Sequence, residues 1–419
     1  MITRRLSSLK QPFVWWVLLL LLFIAAGAAA AGMVFTQGLH VTNLSDLVPW
    51  GLWIAIDLSS IALSAGAFLL SAAVYLLGIK KLQPLARTAV FVGLVGYSMA
   101  CMTLLLDIGR PDRFWHGFVH WNLHSPLWEV TMCVGLYFTV LALEVIPIIG
   151  ESEPMQSRWP GIGGRLAGVH KIAPLLAVAG LTLSMLHQSS LGATYGVLKA
   201  RPFWYKPSLA VLFMASAIVG GLALTVLVSK IAGHLSKRVV VRDDLLDTVS
   251  RFIGWALVVY LYLRFWDLLG NKYTYLPGRS EAYGLLTGGP LALNFWGGEI
   301  IFGIIVPMVI LLSGRLRRNE GLHIIALLLV IGGLIAYRWN TNIAGQLVVL
   351  ADLARGTKAS YTSYVPSLVE IAAGAGVIAY GLLAITLGIR FLRVVDHSDA
   401  ETSIAPMEAT QTEFAVSGD

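Results

Sequence analysis

Ten stretches of the chain stay apolar long enough to cross a bilayer, which takes about 20 mostly apolar residues in a helix. They run over roughly 13–36, 50–79, 86–106, 126–149, 171–187, 208–233, 249–269, 291–313, 321–337 and 367–392. Polar and charged residues collect between them. This pattern predicts an all-α polytopic membrane protein. The first stretch follows Thr3-Arg4-Arg5-Leu6, but its apolar core exceeds the roughly 7–15 residues of an export signal, so a retained helix is expected.

Composition adds to this picture. The 419 residues are 57% hydrophobic and 13% charged, about half the charge of a soluble domain. Soluble enzymes, nucleic-acid modules and disordered scaffolds are set aside. The net charge of +7 reads as topology rather than as an anionic partner. When the loops are taken alternately, 19 of the 30 basic residues fall on one side, among them Arg4, Arg5, Lys10, Lys80, Lys81, Arg158, Arg165, Lys237, Arg238, Arg315 and Arg393. Positive residues mark the cytoplasm, so both termini are expected there. The opposite loops (107–125, 188–207, 270–290 and 338–366) are longer and rich in aromatic residues, Gly and Pro. Loops of that length usually serve a function, and a platform for an extracytoplasmic partner is expected. The two cysteines, Cys101 and Cys133, sit in apolar runs and make neither a disulfide framework nor a metal cluster.

Ionisable groups inside a span are costly and functional by default. Here they concentrate toward the long-loop side: Asp57 in the second span, Asp107 ending the third, Glu129 opening the fourth, His187 ending the fifth, Arg264 and Asp267 ending the seventh, and Arg338 ending the ninth. Glu299 and Glu370 stand near the starts of the eighth and tenth. Asp107 with Arg110, and Arg264 with Asp267, are equally readable as structural ion pairs. Asp57 and Glu129 have no neighbouring cation, and desolvation suits such a group to taking and giving protons. Two helical faces run inward from them. Asp57, Ser60, Ser64, Ser71 and Tyr75 form a stripe explained best by close helix packing. Glu129, Cys133, Tyr137 and Glu144 form the better proton path, with a carboxylate at each end.

A b-type haem needs two facing histidines in apolar surroundings, and no two of the nine histidines share a depth, so no haem is expected. His116, His120 and His124 recur every fourth residue, but the surrounding Pro and Gly argue against a metal face.

With these residues in hand, the chain resembles the NrfD/PsrC family of quinone-interacting membrane subunits, nearest its HybB/DsrP branch. The likeness rests on Pro49-Trp50-Gly51-Leu52-Trp53-Ile54-Ala55-Ile56-Asp57, Gly96-Tyr97-Ser98, Asp107-Ile108-Gly109-Arg110, and His120 and Asn122 before Leu127-Trp128-Glu129. It continues through Leu186-His187-Gln188-Ser189-Ser190-Leu191-Gly192, Leu263-Arg264-Phe265, Arg338, and Pro366-Ser367 with Glu370. Trp266-Asp267 departs from the Gly-Glu of the hydrogenase branch. The resemblance implies a subunit without haem or metal of its own. It would exchange electrons between an extracytoplasmic ferredoxin-like iron–sulfur subunit and the quinone pool (menaquinone or ubiquinone), beside catalytic or multihaem cytochrome c subunits, in a bacterial or archaeal inner membrane. It implies two four-helix bundles, at 46–207 with the quinone site and at 208–345. A first helix and outer loop would occupy 1–45, an outer loop and last helix 346–395, and a disordered tail 396–419. Asp57, Tyr97, Glu129, His187, Gln188 and Ser189 would surround the quinone, and Trp50, Trp53, Trp115, Trp121 and Trp128 would mark the interfacial belt. A secondary transporter and a passive membrane anchor remain the competing readings.

Overall fold

A computed structural model describes residues 12–236, 241–353, 356–392 and 394. Arg4, Arg5, Lys10, Lys237, Arg238, Arg393 and the tail expected to be disordered lie outside them. Among the described residues, ten helices are long and apolar enough to cross a membrane: Pro12–Gln37, Leu52–Tyr75, Lys80–Asp107, Pro126–Gly150, Ala173–Gly196, Ser208–His234, Asp243–Tyr273, Asn294–Leu312, Glu320–Ala344 and Leu368–Phe391. In hydrocarbon every backbone group must be satisfied within the chain, and these helices do that from their ends inward. Ser125 caps the fourth span by accepting from the Trp128 amide, with Pro126 in the first turn. Asn319 accepts from the Leu322 amide to open the ninth. A reciprocal Ser367–Glu370 capping box opens the tenth.

The second to fifth spans pack into one bundle and the sixth to ninth into another; the first and tenth pair on the flank, against the third. The sixth span is the seam, packing on the second, third and fifth. Close approach there needs residues without side chains. A Cβ at Gly66 would stand 2.3 Å from the Gly221 carbonyl oxygen, beside a break in the second span at Ala65. Gly27 against Gly376 and Gly303 against Gly333 make matching crossings between the first and tenth, and the eighth and ninth, spans. Gly66→Val is therefore expected to force the bundles apart at a cost of about 1–3 kcal/mol. A thermal-unfolding midpoint equal to wild type in detergent would refute that close seam.

Several spans outrun their expected ends. The fifth continues through Gln188 and Ser189 to Gly196, so His187 lies nine residues inside the helix, not at its end, and the expected loop 188–207 shrinks. Its polar residues are accommodated internally: Ser189 and Thr194 bond back to carbonyls one turn earlier, and Gln188 donates to the Ile61 carbonyl. The ninth span continues to Ala344, which places Arg338 fully buried inside it rather than at its edge. The eighth is wound as a π-helix over Asn294–Ile305. After the ninth span, β1 (Val348–Leu353) and β2 (Gly356–Tyr361) form an antiparallel hairpin with Val348 opposite Tyr361, an element that the hydropathy pattern does not reveal.

Candidate functional site

Two polar centres are buried among the spans, one in each bundle. In the first, Tyr97 on the third span and His187 on the fifth meet with the tyrosine oxygen 2.5 Å from Nδ1; both side chains are fully buried. The other ring nitrogen, Nε2, has no hydrogen-bond partner. One residue on, the Gln188 side chain is tied to Ile61 through Nε2 (2.9 Å) while its Oε1 is unpaired. Asp57, one turn above Ile61 on the second span, is 3% exposed and its Oδ1 is also unpaired. Buried polar atoms are rarely left without partners, and here three lie on two neighbouring helices.

Aromatic rings close this centre from the middle of the membrane. Tyr137 packs edge-on to Tyr97, with centroids 4.2 Å apart, and tilts against Phe68 at 4.4 Å. Gly180 makes room for Phe68, whose ring a Cβ would meet at 2.0 Å. Ser184, three residues before His187 and buried, lies beside the Tyr137 hydroxyl. Sequence reasoning passed over Ser184 and Phe68; the spacing of Ser184 to His187 on one helical face was the available signal.

The remaining expected residues divide. Glu129 and Cys133 lie on the face that carries Tyr137, half-buried and buried respectively. Glu144 stands toward the short-loop end, where its Oε2 is unpaired. It lines a cavity of about 50 Å³ with Ser71, Tyr75 and Arg87. Ser189 turns away from His187, its hydroxyl bonded to the Met185 and Leu186 carbonyls. Ser64 donates to the Ser60 carbonyl and packs on Gly96, which makes that part of the serine stripe a packing surface. Asp107 does not pair with Arg110. Gly109 turns the chain with a φ of +71°, and Arg110 instead holds Asp112 at the exposed surface (2.9 Å), leaving Asp107 Oδ1 buried and unpaired. The tryptophan belt also splits. Trp115 and Trp121 are exposed, but Trp53 is buried, donating to the Glu370 carbonyl, and Trp50 stacks on Trp204. Glu370 is a structural clamp: its carboxylate accepts from the Asn43 and Ser367 amides and from the Tyr364 hydroxyl. Burial and that carboxylate push the Tyr364 hydroxyl well above its ordinary pKa.

The second centre is a closed ion network. Arg264 joins Glu299 and Asp267, each at 2.7 Å; Lys206 reaches Asp267 at 2.8 Å and Asn340 donates to Glu299 at 2.8 Å. Burial holds the Lys206 ammonium below its ordinary pKa, with Asp267 opposing. Arg338 lies apart from the carboxylates. It donates to the Phe213 carbonyl and Ser216 hydroxyl, with its charge 3.7 Å over the Phe213 ring. Lys206 and Asn340 come from distant segments, and no sequence signal linked them to Arg264.

Among the described residues no group of three His, Cys, Asp or Glu side chains gathers to hold a metal. The two histidines buried in spans, His187 and His323, belong to different bundles, and His323 is bonded to Ser250 at 2.7 Å. His116 and His120 meet edge to face at the surface.

The sequence profile of the family described as "Polysulphide reductase, NrfD" matches residues 40–350. The chain is 32% identical over 390 residues to the menaquinone reductase integral membrane subunit of Nitratidesulfovibrio vulgaris, covering 91% of this chain and 92% of that one. It is 25% identical over 386 residues to a probable Ni/Fe-hydrogenase 2 b-type cytochrome subunit of Escherichia coli (89% and 91%). It is 23% identical over 377 residues to the Hdr-like menaquinol oxidoreductase integral membrane subunit of Archaeoglobus fulgidus (88% and 90%). With ten spanning helices and a match over most of its length, this multi-pass protein of a prokaryotic inner membrane belongs to the NrfD family.

Proposed function

We propose that the chain is the membrane subunit of a respiratory redox complex, exchanging electrons between an extracytoplasmic ferredoxin-like iron–sulfur subunit and the quinone pool. The head group would lie beside His187. The observation that carries this reading is the Tyr97–His187 pair, fully buried, with the ring's free nitrogen unpaired, the Oε1 of the next residue Gln188 unpaired, and Asp57 Oδ1, one turn from the Ile61 carbonyl that holds Gln188, unpaired as well. A small polar ligand with apolar flanks satisfies such atoms; an apolar core does not. Relatives named as a menaquinone reductase and a menaquinol oxidoreductase favour menaquinone over ubiquinone.

Reduction of a quinone takes up two electrons, here from the partner subunit, and two protons. With Tyr97 donating to Nδ1, the neutral imidazole of His187 carries its proton on Nε2, where it donates to the ligand. As that proton leaves, Tyr97 passes its hydroxyl proton to Nδ1, and a proton arriving along the line through Tyr137, which packs on Tyr97, restores the Tyr97 hydroxyl. Asp57 serves the second oxygen. Cys133, Tyr137 and Glu144 mark a proton line toward the short-loop end, and Glu129 the approach from the other. The basic short loops, including Lys80, Lys81, Arg158 and Arg165, support a cytoplasmic short-loop end, so proton uptake through Glu144 would separate charge. Multihaem or catalytic partners would dock on the long-loop end, and this chain would carry no haem.

The test is purification of the intact complex from native membranes. An iron–sulfur subunit and quinone should accompany this chain, and no haem spectrum should be assignable to it; a chain without either companion would overturn the reading. In that complex Glu129→Gln is expected to cut quinone turnover by about 10²-fold without loss of assembly, and Glu144→Gln to slow proton uptake from the cytoplasmic side. Full turnover and uptake in both variants would sink the proton line.

A further inference from the structure

Between the eighth and ninth spans lies a groove of about 480 Å³, walled by Asn294, Gly298 and Phe302 on one side and Leu328, Gly332 and Trp339 on the other. Leu328 and Trp339 are eleven residues apart, about 16 Å along the helix, so the groove is long enough for a ring and the start of a chain. No charged residue lines it, and Asn294, at the long-loop end, is its one side-chain amide. Gly333 lines the groove too, where the two spans come so close that a Cβ on it or on Gly303 would stand within 2.4 Å of the other's Cα. Gly332 faces open space, with nothing within 4 Å of where its Cβ would be.

The polarity of the Asn294 end follows from the ion network behind it. Glu299 accepts from Arg264 through one oxygen and from Asn340 Nδ2 through the other. A carboxylate only accepts, so Asn340 must present its NH₂ to Glu299 and its Oδ1 to Asn294. That Oδ1 accepts from Asn294 Nδ2 at 2.8 Å, and Nδ2 also leans on the Ala336 carbonyl at 3.5 Å. Asn294 Oδ1 is thereby turned toward Gly298 and the groove, and no hydrogen-bond donor among the described residues reaches it. The π-helical winding of Asn294–Ile305 lets one short segment offer Glu299 to the core and Asn294 to the groove; such windings often mark functional positions.

We propose that this groove is a second binding site, for a prenyl lipid bearing a ring hydroxyl: the quinol form of the pool, its hydroxyl donating to Asn294 Oδ1 and its chain lying along Gly332 and Leu328. The identity of the ligand rests on the quinone reading above, whereas the groove and its acceptor do not. A phospholipid phosphate is a poor occupant, since it has no donor for Asn294 and no cation lines the groove.

The experiment is photolabelling of the intact complex in native membrane vesicles with an azido-prenylnaphthoquinone, in its oxidised and reduced forms, followed by peptide mapping. Label is expected on the fifth span and, with the reduced form favoured several-fold, on the eighth or ninth. Gly332→Phe, whose Cβ has no protein atom within 4 Å and whose ring enters the groove, should lower the second label at least tenfold and leave the first unchanged. Leu328→Trp, on the exposed wall, should repeat that block should Gly332→Phe fail to assemble. Label confined to the fifth span would overturn the groove site and leave the function standing; label on neither would overturn both. Equal groove labelling by the oxidised form, or labelling indifferent to both variants, would also overturn the proposal.

Discussion

Replacing His187 by Phe is expected to lower quinone-coupled turnover of the assembled complex by about 10²–10⁴-fold, the usual contribution of a placed proton donor. The substitution keeps a flat ring of similar size in a site that is fully buried, so packing against the neighbouring spans survives. It removes both ring nitrogens: the one that meets Tyr97 at 2.5 Å and the one without a protein partner. Tyr97→Phe should lose less, about tenfold, because His187 keeps its donor but loses the bond that holds its tautomer. A purely structural histidine predicts a loss of stability and no loss of turnover. His187→Phe would then leave Tyr97 without its partner and lower the unfolding midpoint, while electron transfer from the iron–sulfur partner to quinone stayed at the wild-type rate. Stopped-flow reduction of a quinone analogue, beside thermal unfolding of the same preparation, separates the two.

Arg264→Met should be the most destabilising single change in the second bundle. Both its carboxylate partners are buried, and the salt bridges are 2.7 Å each. Removing one partner of a buried ion pair costs about 3–5 kcal/mol, because the other charge is left uncompensated. The two carboxylates are not equally exposed to this loss. Asp267 keeps Lys206 and the Ser208 hydroxyl; among the described residues Glu299 keeps only the Asn340 amide. The double variant Arg264→Met with Glu299→Gln should therefore recover much of the lost stability, since it removes the stranded charge along with the cation. Yield of folded protein and the unfolding midpoint in detergent check both expectations. An Arg264→Met protein as stable as wild type would show that the network contributes no net stability.

Much of this was legible in the chain. Apolar runs with polar ends specify spanning helices, because in hydrocarbon a backbone has few other ways to satisfy its hydrogen bonds. The costly residues Asp57, Glu129, His187, Arg264 and Arg338 stood out for the same reason. Depth was less legible. Hydropathy falls off at Gln188-Ser189-Ser190, so the apolar run by itself ends the fifth span there. In the fold those groups are satisfied by the Ile61 carbonyl and by back-bonds, and the helix runs on to Gly196. Sequence leaves the pairing of Asp107 with Arg110 open, because spacing along the chain says nothing of the turn at Gly109 that carries Arg110 away to Asp112.

Sequence by itself determined the class of the protein, its ten helices and the list of residues too costly to be idle, since each follows from local hydropathy and the dielectric of the bilayer. Tertiary structure decided which of them meet. Tyr97 finds His187 across 90 residues and Lys206 finds Asp267 across 61. Asn294 is turned toward its groove by a carboxylate on its own helix that it reaches only through Asn340, 46 residues away. Such partnerships depend on helix rotation and on glycine-lined crossings, and these are set by packing between helices rather than by any local run of residues.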